Sequence, residues 1–248
     1  MSGHSKWATI KRKKAKNDAV RGKLFTKFLR EITTSAKLGG ADPAGNPRLR
    51  LAIEKARENN VPSDNIKRAI DKGSGAGGAG DIFEINYEGY GPAGVAVLVE
   101  AITDNKNRTS SDIRSIFTRH GGNLGAAGCV GWMFKKKGML SFDKKNIDED
   151  ALSMEAIEAG AEDIEAAENS LEITTTPEDF EKVRNALKDK GFNPSHSEIA
   201  MVPENQIKVQ GEDAEKVLKL IQALEDYDDV QNVYANFDIS EEELRKLA

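Results

Sequence analysis

The sequence has few residues suited to cross-linking or metal binding and no segment suited to crossing a membrane. Cys129 is the single cysteine, so the chain can form no internal disulfide, which fits a reducing compartment. The histidines, His4, His120 and His196, are scattered without metal-ligand spacing. No apolar run approaches the roughly 18 residues of a membrane-spanning helix. We therefore expect a protein without a metal, a disulfide or a membrane segment.

Signals for secretion and for catalysis are missing as well. The basic N-terminus lacks the apolar stretch of about 7 to 15 residues that a secretory signal carries, so we expect a cytoplasmic protein, with a mitochondrial transit peptide as the alternative. The sequence contains no nucleophile elbow and no Walker motif. A G-x-G-x-x-G spacing at Gly75, Gly77 and Gly80 follows a helical pattern and precedes a strand, the reverse of a dinucleotide site. The pattern predicts no enzyme and no cofactor.

What the sequence does contain is a strong separation of charge. Residues 1–72 hold 18 Lys and Arg against 7 Asp and Glu, whereas residues 73–248 hold 18 against 34. The stretch KRKKAK, residues 11–16, places four consecutive cations and a fifth in six residues of a chain whose net charge is -5. This asymmetry predicts a polyanionic partner at the basic end.

Residues 1–17 have no apolar stripe wide enough to bury, so we expect a mobile arm. Its cations are interleaved with Trp7, a combination suited to phosphate contact and stacking on a base. A solvated tail without a partner is the alternative. Charge alone extends the predicted nucleic-acid surface along the following helix to Arg21, Lys23, Lys27 and Arg30.

Hydrophobic periodicity predicts three helices before a glycine-rich linker, GSGAGGAG, at 73–80. The first spans 18–37, the second begins after the cap Asn46, and the third is predicted to begin with Ser63 as its cap. Their apolar stripes are expected to form one core.

Beyond the linker, strand and helix patterns alternate. The sequence E-D-x-E-K-V occurs at 178–183 and 212–217, in two copies of a strand-helix-strand repeat. The strand and helix patterns between 139 and 202 follow the order βαββαβ, which predicts a ferredoxin-like unit. Further elements are expected at 82–87, 95–102, 110–119 (a helix capped by Thr109) and 130–134.

The predicted fold class is α+β with three domains. They are a basic arm and three-helix domain at 1–72, a discontinuous α/β domain at 81–135 plus 204–248, and an inserted ferredoxin-like α/β domain at 136–203, with the linker at 73–80.

A second candidate phosphate site lies in the discontinuous domain. The segment DNKNRT and the helix after it supply Lys106, Arg108, Arg114 and Arg119, and a glycine-rich stretch at 121–131 follows. Backbone amides and Arg side chains can hold a phosphate. The alternative is structural, a capped helix with a glycine-rich return loop.

Several separate motifs together resemble the YebC family. They are GHSKW at 3–7, RGKLFTK at 21–27, NPRLR at 46–50, YEGYGP at 87–92, DNKNRT at 104–109 and GGNLG at 121–125. The resemblance extends to the DDVQNVYANF ending and so covers essentially the whole chain. It implies a helical N-terminal domain and two α/β domains, with a non-enzymatic role in gene expression.

The resemblance implies two functions that both need a polyanion-binding surface. Bacterial members are labelled as DNA-binding transcriptional regulators, while mitochondrial relatives and some bacterial ones look like translation factors at the ribosome. We therefore expect a DNA-binding regulator, with a ribosome-associated RNA-binding factor as the alternative and an uncharacterised enzyme as the third. By resemblance, the binding surface maps onto His4, Ser5, Lys6 and Trp7 with the basic cluster Lys11, Arg12, Lys13, Lys14 and Lys16.

Overall fold

The computed structural model describes residues 18–75, 81–167, 169–240 and 242–243, with the side chains of 18–21 and 146 left out. These residues form seven α-helices and ten strands, and all neighbouring strands in the two larger sheets are antiparallel. Within the described ranges, no helix is both long and apolar enough to span a membrane. The chain is thus a mixed α/β protein.

Three helices form the N-terminal unit: α1 (Asp18–Gly39), α2 (Pro47–Glu58) and α3 (Ser63–Gly73). The predicted cap Asn46 is confirmed, because its side-chain oxygen accepts a hydrogen bond from the Leu49 amide at 3.1 Å. The prediction for Ser63 was wrong: it is the first helical residue, Pro62 precedes it, and no side chain caps the helix. Ile32, Leu49 and neighbouring apolar residues form the core of this unit.

The first sheet has the strand order β3-β1-β2-β9. Its members are β1 (Phe83–Tyr90), β2 (Ala96–Thr103), β3 (Asn123–Leu124) and β9 (Val230–Ala235), and the helices α4 (Lys106–Arg119) and α7 (Gly211–Glu225) pack on one face. Val97 and Val99 of β2 face these helices, whereas Ala96 and Leu98 pack on the other side. Burial of both faces explains the continuous apolar sequence of β2. A short parallel pair, β8 (Ile207–Lys208) and β10 (Phe237–Asp238), lies beside this unit.

The second sheet has the strand order β5-β6-β4-β7. Its strands are β4 (Phe134–Asp143), β5 (Asp163–Ala166), β6 (Ser170–Thr175) and β7 (His196–Pro203), with α5 (Glu149–Ala159) after β4 and α6 (Phe180–Asp189) after β6. Both helices contribute to the core around Phe142, Ile173 and Phe180. Each helix therefore connects two strands that are separated in the sheet by one other strand.

Two predicted element boundaries differ from the structure. Helix α4 begins at Lys106 rather than Ser110, and its cap is Asn105, whose side-chain oxygen accepts from the Arg108 amide at 3.1 Å. Thr109, the predicted cap, instead lies in the first turn of the helix. It is buried there, and its hydroxyl donates a hydrogen bond to Asp229. The predicted strand at 130–134 is a 3-10 turn at Gly131–Met133, followed by β4, which crosses the predicted domain boundary between 135 and 136.

The two sheets and the helical unit pack against one another. Leu98 of β2 and Tyr234 of β9 belong to a cluster with Phe134, against which Ala200 and Met201 of β7 pack. Leu51 of α2 packs against the core of the second sheet. The N-terminal helices therefore have a fixed place against the rest of the chain, and their cations lie close to its acidic residues.

Candidate nucleic-acid interface

The predicted arm lies outside the described residues. This applies to His4, Ser5, Lys6, Trp7, Lys11, Arg12, Lys13, Lys14 and Lys16 and to the linker residues 76–80. Arg21 belongs to α1, without a described side chain. Gly73, the first residue of the predicted linker, is the last residue of α3 and is buried. The helix therefore extends into the predicted linker.

Two of the predicted cations on α1 contact the end of helix α7. Lys27 Nζ donates to the Glu225 carbonyl oxygen at 2.6 Å, and Lys23 Nζ donates to the Asp226 carbonyl oxygen at 3.5 Å. The C-terminus of a helix carries partial negative charge on its unsatisfied carbonyls, which favours a cation there. These lysines therefore help to hold α1 against the first sheet unit.

One cation from each predicted set meets the same buried carboxylate, that of Asp229. Arg30 Nη1 lies 2.9 Å from Asp229 Oδ1, and Arg108 Nη2 lies 3.0 Å from Asp229 Oδ2. The Thr109 hydroxyl donates to Oδ2 at 2.7 Å. Arg30 also donates to the carbonyls of Ile102 and Asp228. Both arginines are thus bound within the protein.

The environment keeps Asp229 ionised. Burial by itself would raise the pKa of this carboxyl, but hydrogen bonds from Thr109 and Arg108, together with the charge of Arg30, lower the pKa below its ordinary value. Asp229 therefore acts as an internal counter-ion between α1 and α4.

The other members of the second candidate phosphate site do not converge. Lys106 Nζ lies 4.0 Å from the centre of the Phe83 ring, and Arg119 Nε donates to the Ser115 carbonyl oxygen at 3.3 Å. At 3.6 residues per turn, Lys106 and Arg114 lie on a different side of α4 from Arg108 and Arg119. The described geometry does not bring the four cations together around one phosphate.

The glycine-rich stretch beside this helix is occupied by an internal anion. Glu88 accepts hydrogen bonds from the amides of Gly128 at 2.8 Å, Val130 at 2.8 Å and Gly131 at 2.6 Å. Burial would raise the Glu88 pKa, but these amides lower it below the ordinary value. Three amides that a phosphate would need therefore already bind a carboxylate, which supports the structural alternative for 121–131.

Ion pairs connect α2 to both sheets. Arg48 pairs with Glu31 of α1 at 2.7 Å and with Glu84 of β1. Burial by itself would lower the pKa of Arg48, but the two carboxylates raise the pKa above its ordinary value. Arg50 lies 2.8 Å from Glu181 of α6. Two further contacts involve the second sheet unit: Glu54 with Arg184 at 3.0 Å, and Lys55 with Glu198 at 3.9 Å. Part of the charge asymmetry seen in the sequence is thus neutralised within the molecule.

A second group of N-terminal cations has no ion pair to any carboxylate in the described part of the chain. These residues, here called the α3 cations, are Arg57 at the end of α2 and Lys67, Arg68 and Lys72 on α3, and all are exposed. Sequence reasoning counted them in the basic end but did not single them out. The three of them on α3 lie off its apolar stripe of Ile66, Ala69 and Ile70, and this position in the sequence could have identified them as surface cations.

Arg68 and Lys72 border a groove between α1, α3 and the end of β2. Its volume is about 520 Å³, and the partly exposed Leu29 and Ile82 provide apolar surface in it. Arg57 and Lys67 border a separate and smaller hollow of about 220 Å³ on the other side of α3. The described residues contain no group of His, Cys, Asp and Glu that could hold a metal ion.

Comparison with known proteins identifies the family. Residues 5–76 match the family model described as the TACO1/YebC protein N-terminal domain, and residues 82–237 match that of the TACO1/YebC second and third domain. The chain belongs to the TACO1/YebC family. The resemblance seen in the sequence motifs is therefore confirmed.

Close relatives span the whole chain. A protein of Geotalea uraniireducens named "Probable transcriptional regulatory protein" is 58% identical over 100% of both chains. A protein of Natranaerobius thermophilus with the same name is 57% identical over 97% of this chain and 98% of its own. The crystal structure of a conserved hypothetical protein from Aquifex aeolicus is similar with a TM-score of 0.82 and 48% identity, over 90% of this chain and 92% of the other.

Proposed function

We propose that this TACO1/YebC protein is a non-enzymatic, nucleic-acid-binding regulator of gene expression in the cytoplasm. The observation that carries the proposal is the set of α3 cations, which no described carboxylate neutralises in a protein of net charge -5. Exposed cations attract phosphates and release counter-ions on binding. The partner is DNA or ribosomal RNA, and neither a cofactor nor a membrane is required.

The name of the relatives supports a regulatory role. Proteins more than half identical to this chain carry the name of transcriptional regulators, which favours DNA as the target. Action on the ribosome as a translation factor is the alternative, and an enzymatic role is the third. In either binding function, the arm residues 6–16 add their charge to that of α3.

The three-domain division also belongs to this proposal. We place the helical domain at 1–72, the discontinuous α/β domain at 81–135 plus 204–248, and the ferredoxin-like domain at 136–203. Pairing of β9 with β2 supports the discontinuous domain, and the strand order β5-β6-β4-β7 supports the ferredoxin-like one.

Salt dependence of binding tests the function. Changing Lys11, Arg12, Lys13 and Lys14 together to Ala should flatten the slope of log affinity against log salt by about two to four units and weaken binding to many sequences alike, because each phosphate contact contributes about -0.9 on duplex DNA. Trp7→Ala should instead lower affinity by about 1 to 3 kcal/mol with little change in slope, if the ring stacks on a base. Unchanged affinity and slope for DNA and for ribosomes in the folded fourfold variant would contradict the arm's role.

The same assay distinguishes DNA from the ribosome as the physiological target. A DNA regulator should prefer one duplex over random competitor at physiological salt, whereas a ribosomal factor should prefer ribosomes or structured RNA. Sedimentation of cell extract through a sucrose gradient, with and without nuclease, gives the independent measurement. Comigration with ribosomes that nuclease abolishes would favour the translation factor.

A further inference from the structure

The cations of the helical unit fall into two classes, those bound within the protein and those left at its surface. Arg30 is held by Asp229, Arg48 by Glu31 and Glu84, and Arg50 by Glu181. Arg68 and Lys72, four residues apart on α3, have no such partner among the described residues and both border the groove. At this spacing, the two side chains lie on the same face of the helix.

The groove combines features suited to a single nucleotide. Its volume of about 520 Å³ lies within the usual range for small-ligand sites, roughly 300 to 1,000 Å³, and is far too small for a duplex. Leu29 and Ile82 supply partly exposed apolar surface, while Asn65 and Thr26 supply polar atoms. The lining also contains Arg30, which pairs with Asp229, and the acid Asp104, which pairs with Arg108 at 3.0 Å. Arg68 and Lys72 are therefore the lining cations that have no ion pair among the described residues.

We infer that this groove binds an unpaired nucleotide of a single-stranded nucleic acid, with Arg68 and Lys72 contacting its backbone phosphates. The base lies in the groove against Leu29 and Ile82, and Arg68 and Lys72 at its rim remain in contact with the strand. Proteins that bind single strands without strong sequence preference combine a positively charged groove that follows the backbone with side chains that contact the bases. In this groove the base contact is aliphatic, because the described lining contains no aromatic residue. The inference deepens the proposed function and rests on it.

The chain offers a matched control for the test. Arg68→Ala with Lys72→Ala removes two charges on the groove side of α3, while Arg57→Ala with Lys67→Ala removes two charges on its other side. All four side chains are exposed, so both double variants should keep the fold, which circular dichroism and thermal unfolding check. Binding is measured by fluorescence anisotropy with a labelled mixed-sequence 12-nucleotide RNA, the same sequence as DNA, and the DNA duplex, over a range of KCl concentrations.

The groove-side variant should bind both single strands at least about tenfold more weakly and flatten the salt slope by about 1.4, which is two contacts at roughly -0.7 each. The control should lose less than half of that slope.

Each outcome decides between the possibilities. Three results overturn the groove assignment while the proposed function stands. They are an equal loss of affinity in the two double variants, no loss of affinity in either, and tighter binding to the duplex than to the single strands. Absence of binding to any nucleic acid and to ribosomes by the unaltered protein overturns the proposed function and the groove together. A preference for RNA over DNA of the same sequence identifies the source of the strand as RNA.

Discussion

At the scale of single residues, the protein uses buried carboxylates as fixed internal counter-ions. Glu88 binds backbone amides and Asp229 binds two arginines, so each satisfies groups that would otherwise attract an external anion. Removing one partner of such a network leaves the others buried and unpaired, which costs more than the loss of an exposed ion pair. A sequence count of cations therefore overstates the charge available to a ligand.

Asp229→Asn should destabilise the protein by about 2 kcal/mol, less than for a fully buried pair because both arginines remain partly exposed. Asp104→Asn, which removes an exposed carboxylate that binds the same Arg108, should cost less than about 1 kcal/mol. Urea unfolding at neutral pH measures both. Equal costs for the two variants would contradict the counter-ion role of Asp229.

The same pair of variants has a defined pH dependence. Because the folded-state pKa of Asp229 lies below its ordinary value of 3.8, the unfolded state binds more protons between the two values. The stability that Asp229 contributes is therefore present in full above about pH 4 and is lost as the pH falls through the folded pKa. The difference between the protein and Asp229→Asn should shrink below pH 4.

At the scale of elements, the crossing of α1 and α3 depends on Gly73. A Cβ at this position would lie 2.4 Å from the Thr33 carbonyl oxygen and 2.8 Å from the Ala36 Cβ. The helices can approach this closely only with a glycine at the contact. Sequence reasoning assigned Gly73 to the linker, since a pattern of residues cannot show which atoms lie opposite.

Gly73→Ala should destabilise the protein by about 2 kcal/mol. The steric cost of forcing the helices apart, about 1 to 3 kcal/mol, exceeds the gain in helix propensity, which is small at the last residue of a helix. Gly22→Ala within α1 is the control, since no atom of the described residues lies within 4 Å of the added Cβ. It should stabilise the protein by about 0.5 to 1 kcal/mol. Thermal unfolding of the two variants should shift in opposite directions.

At the scale of the whole molecule, acidic sheets and a basic helical unit are held together by ion pairs. The pairs Arg30–Asp229, Arg50–Glu181 and Glu54–Arg184 each join α1 or α2 to a distant part of the chain. The charge separation in the sequence predicts a polyanionic partner at the basic end. The structure adds an intramolecular use for the same charges.

The domain division predicts how fragments behave. Residues 136–203 alone should fold cooperatively, because they contain nearly all of the second sheet and both helices of its core. Residues 81–135 alone should not, because β9 and α7, which complete the first sheet and its core, come from the C-terminal part of the chain. Dispersed NMR resonances from the 81–135 fragment would be incompatible with a discontinuous domain.

Local sequence determined most of the elements and the family. The apolar spacing of α1, the Asn46-Pro47 start of α2 and the order βαββαβ could be predicted because each depends on neighbouring residues. The start of α4 was misplaced by one turn because Asn105 and Thr109 are both good caps. The choice between them depends on the contact of Thr109 with Asp229, 120 residues away.

Only the tertiary structure decided which cations are available to a ligand. Arg30 and Arg68 look equivalent in the sequence, since each is a cation beside the apolar stripe of a helix. Both line the same groove, but Arg30 lies within 2.9 Å of a carboxylate 199 residues away, whereas Arg68 has no ion pair among the described residues. Periodicity fixes which side of its own helix a residue occupies, but the partner on that side is set by the packing of distant segments, which no local pattern encodes.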